Sequence, residues 1–171
     1  MTAATLFPHR LTIRPLTAAD AEQVRRWRYD GPWSVYDSRP DDPPITSADG
    51  YHTIADAADG TFLGYVCVGT EARVPGLAED PALLDVGVGM RPDLVGQGHG
   101  QRFGAAALAY ADRLAGGRPL RAVVQTWNRR SLRLTERLGF VEAGQHMAMQ
   151  GGKRVEYVVL VRQPAADRTR S

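Results

Sequence analysis

The stretch "LLDVGVGMRPDLVGQGHGQRFG", Leu83 to Gly104, decides how this chain folds. Its first part, "LLDVGVGM", has the length and apolar content of a strand. Its second part carries Gly96, Gly98, Gly100 and Gly104, and a helical pattern follows. A glycine-rich turn from strand to helix presents unpaired backbone N–H groups, which suits an anion. By period-two alternation Leu83, Asp85, Gly87 and Gly89 share one face, and Leu84, Val86, Val88 and Met90 the other. Interior glycines weaken a strand and mark a bulge or the close approach of a ligand or another backbone. The strand is therefore expected to leave a slot beside it, leading to the anion site.

Spacing tests two phosphate loops. A dinucleotide fingerprint needs G-x-G-x-x-G, but its last position falls on Gln101 or Phe103. A P-loop needs a Lys followed by Ser or Thr, and this loop holds no Lys. Gly96-x-Gly98-x-Gly100 remains, with Arg102 just inside the helix. Such a run of small residues turns amides inward as a nest and suits a pyrophosphate; a plain flexible turn is the alternative.

Outward from this stretch, "RLTIRP" alternates as a first strand, and Thr17 with Asp20 forms a near capping box for a short helix. Arg28 to Gly50 is a long loop with four prolines and three large aromatics, the kind of segment that carries function. "YHTIAD" and "TFLGYVCVG" read as a hairpin, His99 to Ala115 as a helix, "LRAVVQT" as a strand, and "NRRSLRLTERLGF" as a helix capped by Asn128. "VEAGQHMAM" and "RVEYVVLVR" close the chain as a hairpin. The order predicts an α+β fold on a mixed, mostly antiparallel sheet flanked by helices. One domain is expected over 1–163, with 164–171 a disordered tail.

Composition narrows the function. A net charge of +2 implies no strong attraction to nucleic acid or anionic membrane. Cys67 is the single cysteine and lies in an apolar run, so a buried structural thiol is favoured over a nucleophile and a reducing compartment fits. No apolar run is long enough for a membrane helix or a signal peptide, which points to the cytoplasm. His9, His52, His99 and His146 lack ligand spacing, so no metal is expected.

The glycine loop, its strand and "NRRSLRLTERLGF" together resemble the GCN5-related N-acetyltransferases (GNAT). The family pattern Arg/Gln-x-x-Gly-x-Gly/Ala falls on Val95, Gly96, Gln97, Gly98, His99 and Gly100, with Val95 departing from its first position. The pattern Asn-x-x-Ser/Ala-x-x-x-Tyr-x-x-x-Gly-Phe falls on Asn128, Ser131, Thr135, Gly139 and Phe140, with Thr135 in place of Tyr. The resemblance implies acetyl-CoA as co-substrate and no metal. It implies a fourth and a fifth strand splayed to admit the pantetheine, which the backbone at Val88, Gly89 and Met90 would hold. Val95 and the amides from Gly96 to Gln101 would frame the pyrophosphate, and Asn128 would reach the pantetheine.

Acetyl transfer to an amine needs a base, an oxyanion donor and an outlet for the thiolate. The backbone N–H of Gly89 or Met90 is the expected oxyanion donor. Asp85 is the candidate base, acting through water, with a carboxylate that only positions groups as the alternative. Some relatives place a Glu where Val123 stands, which cannot titrate. Thr135 leaves the thiolate's proton without an evident source. Trp27, Tyr29, Trp33, Tyr36 and Tyr157 are the expected acceptor walls, and Asp37, Asp41 and Asp42 favour a cationic amine. The expected reaction is direct transfer to a primary amine, on a small molecule or a protein N-terminus. A homodimer is compatible. The rivals are a non-catalytic acyl-CoA sensor and a nucleotide-binding enzyme with an unusual loop.

Overall fold

Alternating apolar runs and turn residues set the elements. In the computed structural model, which describes residues 6–165, these are β1 (Leu11–Pro15), α1 (Ala18–Arg26), β2 (Tyr51–Asp56), β3 (Phe62–Val68), β4 (Leu84–Met90), α2 (Gly100–Ala115), β5 (Leu120–Gln125), α3 (Arg129–Arg137), β6 (Val141–Gln150) and β7 (Lys153–Arg162). The order is the one that the sequence predicts. Residues 28–50 stay a loop apart from two short 3-10 turns, Gly31–Tyr36 and Ser47–Asp49. The expected tail lies, from residue 166 on, outside the described residues.

The strands form one seven-stranded sheet in the order β1-β2-β3-β4-β5-β7-β6. Every neighbouring pair is antiparallel except β4 and β5, which run parallel. The sheet is thus mixed and mostly antiparallel, as expected.

One face carries the main core. Phe103, Ala107 and Ala111 of α2 recur at helical spacing and pack on Ile54, Val66, Val86, Leu120, Val158 and Leu160. Phe103 is only 1% exposed, so its burial contributes roughly 2–3 kcal/mol. Leu132 and Leu138 add α3 to the same cluster. The opposite face buries Leu16, Ala21, Tyr51 and Cys67.

The capping box at α1 forms in full: Asp20 N–H donates to Thr17 Oγ1, and Thr17 N–H donates to the Asp20 carboxylate. That carboxylate also accepts from Arg14 at 2.6 Å and from Thr53 Oγ1 at 2.7 Å. Burial raises the Asp20 carboxyl, but the bonds from Arg14, Thr53 and Thr17 outweigh it and hold it at about 2. Burial pushes the Cys67 thiol up to about 12, which fits its reading as a structural residue.

Candidate active site

The two central strands pair only at Leu84 with Leu120 and at Asp85 with Arg121, and then part. On its other edge β4 stays paired with β3 as far as Met90. Arg91 N–H donates to Leu63 O at 2.9 Å, which fixes the alternation along this antiparallel pair. Gly87 and Gly89 turn their N–H and C=O toward β3; Val88 and Met90 turn theirs toward the gap. Val88 is accordingly 47% exposed in the middle of a sheet. Of the two expected oxyanion donors, Met90 keeps its N–H on the free edge. Gly89 does not, because its amide faces β3.

Asp85 sits where the strands separate. Its Oδ1 accepts from Arg121 Nε at 2.6 Å, and its Oδ2 accepts from Arg121 Nη2 at 3.1 Å and Arg73 Nη1 at 3.2 Å. It is 4% exposed. Both carboxylate oxygens are taken up by guanidinium groups, and they lie at the closed end of the gap, on the rung where β4 still pairs with β5. The expected base is therefore corrected to a clamp. An Arg inside the apolar strand "LRAVV" was the available signal.

The glycines of β4 do not open a slot on their face either. A Cβ on Gly89 would come within 2.4 Å of the Tyr65 ring, and one on Gly87 within 3.2 Å of Cys67 Sγ. Tyr65, absent from the sequence-based candidates, crosses from β3 over Gly89 and stacks on Trp27 at 6.0 Å. Burial, then the neighbouring Cys67, Tyr51 and Tyr29, push its phenol pKa well above the ordinary value. The opening lies in the plane of the sheet, between β4 and β5.

At the far end of this opening stands the glycine loop. Gly96 and Gly98 adopt φ of 76° and 82°, the left-handed region that glycine tolerates without strain. Among the described residues, the amides from Gly96 to Arg102 donate to no protein acceptor, and His99 caps α2 with no side-chain bond. The His99 ring stacks on Phe7 at 4.4 Å, which leaves its backbone for the cradle. Gln97 turns its side chain to Asp93 O, and Gly100 lies against Leu134 of α3. Val95 is different, since its N–H donates to Pro92 O at 3.3 Å. The free amides thus run over Gly96, Gln97, Gly98, His99, Gly100, Gln101 and Arg102, which includes the whole stretch expected from Gly96 to Gln101.

The aromatic loop crosses the mouth of the gap and is fastened on both sides. Tyr29 O–H donates to Met90 O at 2.6 Å on the β4 side. On the β5 side Trp33 Nε1–H donates to Asn128 Oδ1 at 3.3 Å, and Asn128 Nδ2 donates to Tyr36 Oη at 3.0 Å. Asn128 Oδ1 also accepts from Ser131 N–H at 3.2 Å, the helix cap. The buried Asn128 side chain therefore holds the strap and α3, a role added to its expected contact with pantetheine. Trp127 packs on both Trp33 and Tyr36. Trp27 does not join this wall; it is buried between Phe62 and Tyr65 as core.

Asp37 Oδ1 accepts from Tyr29 N–H and Asp42 Oδ2 from Arg39 N–H, so two of the three carboxylates expected to attract a cationic amine shape the strap. Burial, then Asp37, raise the Tyr29 phenol pKa. Tyr157, opposite Gln125, donates to Gln150 Oε1 at 2.5 Å. Thr135 Oγ1 donates back to Leu132 O at 2.9 Å and presents no proton to the gap. Among the described residues no three His, Cys, Asp or Glu side chains converge as a metal site. No helix of those residues is long and apolar enough to cross a membrane.

A row of free amides at a helix N-terminus fits a diphosphate, and an unpaired strand edge fits an amide-bearing arm that ends in a thioester. Acetyl-CoA has this build. The sequence profile of the Acetyltransferase (GNAT) domain matches residues 10–141. Solved structures share the fold. A GNAT-family acetyltransferase from Bacillus anthracis has a TM-score of 0.67 at 15% identity, covering 92% of this chain and 97% of that one. A spermidine N-acetyltransferase SpeG chimera of Vibrio cholerae and hSSAT has a TM-score of 0.66 at 16% identity, covering 91% and 96%. The Salmonella typhimurium protein yncA, solved with its cofactor acetyl-CoA, has a TM-score of 0.60 at 19% identity, covering 90% and 93%. Among curated proteins no significant match to the sequence is found. The chain belongs to the GNAT acetyltransferase family and is an acetyl-CoA-dependent acetyltransferase.

Proposed function

We propose that this acetyltransferase passes the acetyl group directly to a primary amine, a small polyamine-like molecule or a protein N-terminus, within a ternary complex. One observation carries the reading: the strap is fastened to Met90 on one side of the gap and to Asn128 on the other. That arrangement lays the strap across the free strand edge, where an acceptor amine held against it would meet the thioester at close range. Bound acetyl-CoA supplies an activated acyl group. Met90 N–H is the oxyanion donor, being the edge amide next to the strap's anchor.

With Asp85 clamped, the amine loses its proton to solvent, so the acceptor's own pKa sets the alkaline rise in rate. Tyr36 supplies the proton that the leaving thiolate takes, and the proton that the attacking nitrogen sheds on forming the amide restores the phenol. Its oxygen accepts from Asn128, while its own proton has no acceptor among the described residues. Burial raises its pKa, the bond from Asn128 lowers it and the neighbouring Tyr157 raises it; the net shift is upward, so the phenol keeps its proton. The other phenols at the mouth are engaged, Tyr29 on Met90 O and Tyr157 on Gln150.

The neighbours include a spermidine N-acetyltransferase, which favours a cationic amine. Free-CoA release with a panel of polyamines, amino sugars and peptides tests the reading. Release with none of them, alongside tight acetyl-CoA binding, would refute a primary amine of these classes as the acceptor. A cytoplasmic setting belongs to the same proposal, because the reaction consumes acetyl-CoA. So does a homodimer through the exposed Met147 and Met149 of edge strand β6, which sedimentation velocity tests.

A further inference from the structure

Arg130 stands at a place that helix physics does not favour. It is the second residue of α3, in a first turn that holds no acidic residue, so the positive end of the helix dipole repels it. Among the described residues no carboxylate pairs with it. Its guanidinium instead touches both halves of the active site. A Cβ on Gly96 would lie 3.5 Å from Arg130 Nη2, which puts the cation at the lip of the glycine cradle. Its Cζ lies 4.3 Å from the Trp33 ring centroid, and Trp33 is the strap residue bonded to Asn128. The loop contributes no cation here, because Val95 occupies the first position of the glycine pattern.

We propose that Arg130 is the cradle's diphosphate-binding cation, supplied from α3, and that its face on Trp33 makes the strap sense whether the cradle is filled. The proposal rests on the diphosphate reading of the cradle. A planar guanidinium can offer N–H donors to phosphate at its edge while an aromatic ring covers its face. An anion in the cradle fixes the guanidinium, and Trp33 then has a fixed surface to lie on. Co-substrate binding therefore steadies Trp33 in a strap that Met90 and Asn128 already fasten.

Calorimetry on the wild type, Arg130→Gln and Arg130→Lys tests this, with CoA and with pantetheine, which lacks the phosphates. The wild type is expected to prefer CoA. Arg130→Gln loses about tenfold in CoA affinity and none for pantetheine, and Arg130→Lys regains part of the loss. CoA should shift the tryptophan emission of the wild type, and the shift should disappear in Trp33→Phe and in Arg130→Gln. If the wild type binds both ligands equally, the cradle reading fails and Arg130 falls with it. If Arg130→Gln keeps the full CoA preference, the cradle stands and Arg130 alone is refuted. If the affinity falls but the emission shift survives in Arg130→Gln, the coupling to the strap is refuted.

Discussion

Asp85 Oδ1 and Arg121 Nε meet at 2.6 Å on the last rung that joins β4 to β5. Beyond this rung the strands diverge, so the ion pair marks the apex of the gap. Arg73 takes the second carboxylate oxygen from the loop above. A buried pair of this kind adds little over apolar packing, but removing one partner strands the other charges. Asp85→Asn should therefore cost about 3 kcal/mol in urea unfolding and leave the shape of the pH–rate profile unchanged. Loss of one limb of that profile would restore Asp85 as the base.

Gly89 leaves no room for a side chain under Tyr65, whose ring is backed by Trp27. Gly89→Ala should destabilise by roughly 2 kcal/mol through overpacking. Adding Tyr65→Leu should return much of that loss, a positive coupling that a double-mutant cycle reads directly. Additive losses would mean that the ring does not set the need for glycine.

Tyr36→Phe should lower kcat by about a hundredfold while the KM for acetyl-CoA stays within about twofold, the pattern of a lost proton donor. Asn128→Ala, which frees both Tyr36 and Trp33, should damage kcat and KM together. A Tyr36→Phe enzyme with normal kcat would remove Tyr36 from the chemistry.

Acid stability should show the Asp20 hub. Its folded pKa, about 2, lies below the unfolded value of 3.8, so its contribution is complete above pH 3.8 and disappears as the pH falls toward 2. The shift corresponds to about 2 kcal/mol. Melting curves of wild type and Asp20→Asn should differ by a constant amount at neutral pH and converge below pH 3.8. A difference that persists unchanged to pH 2 would show that packing, not ionisation, is what the substitution removes.

The Cys67 thiol should not react with Ellman's reagent in the native protein and should react fully in guanidinium chloride, since it is 5% exposed and its pKa is pushed up to about 12. Thiol detection of released CoA then needs no correction for the enzyme. Rapid native labelling would contradict the burial.

The site was legible where it is made of short-range chemistry. Gly96 and Gly98 announce a left-handed turn, and Asn128 with Ser131 announces a helix cap, because each acts within a few residues of itself. Tyr65 and Arg130 were not legible. One matters because register sets it opposite Gly89, the other because α3 packs beside the cradle.

Residue pattern by itself determined the order of strands and helices, the mixed sheet and the glycine loop, because periodicity and turn chemistry are local. Only the tertiary structure decided that Asp85 is a clamp, that Met90 rather than Gly89 faces the gap, and that the strap is fastened at both ends. Those facts depend on partners 36, 61 and 95 residues apart. Strand register and sheet order choose such partners, and a change of one residue in register would reverse which amides reach the gap.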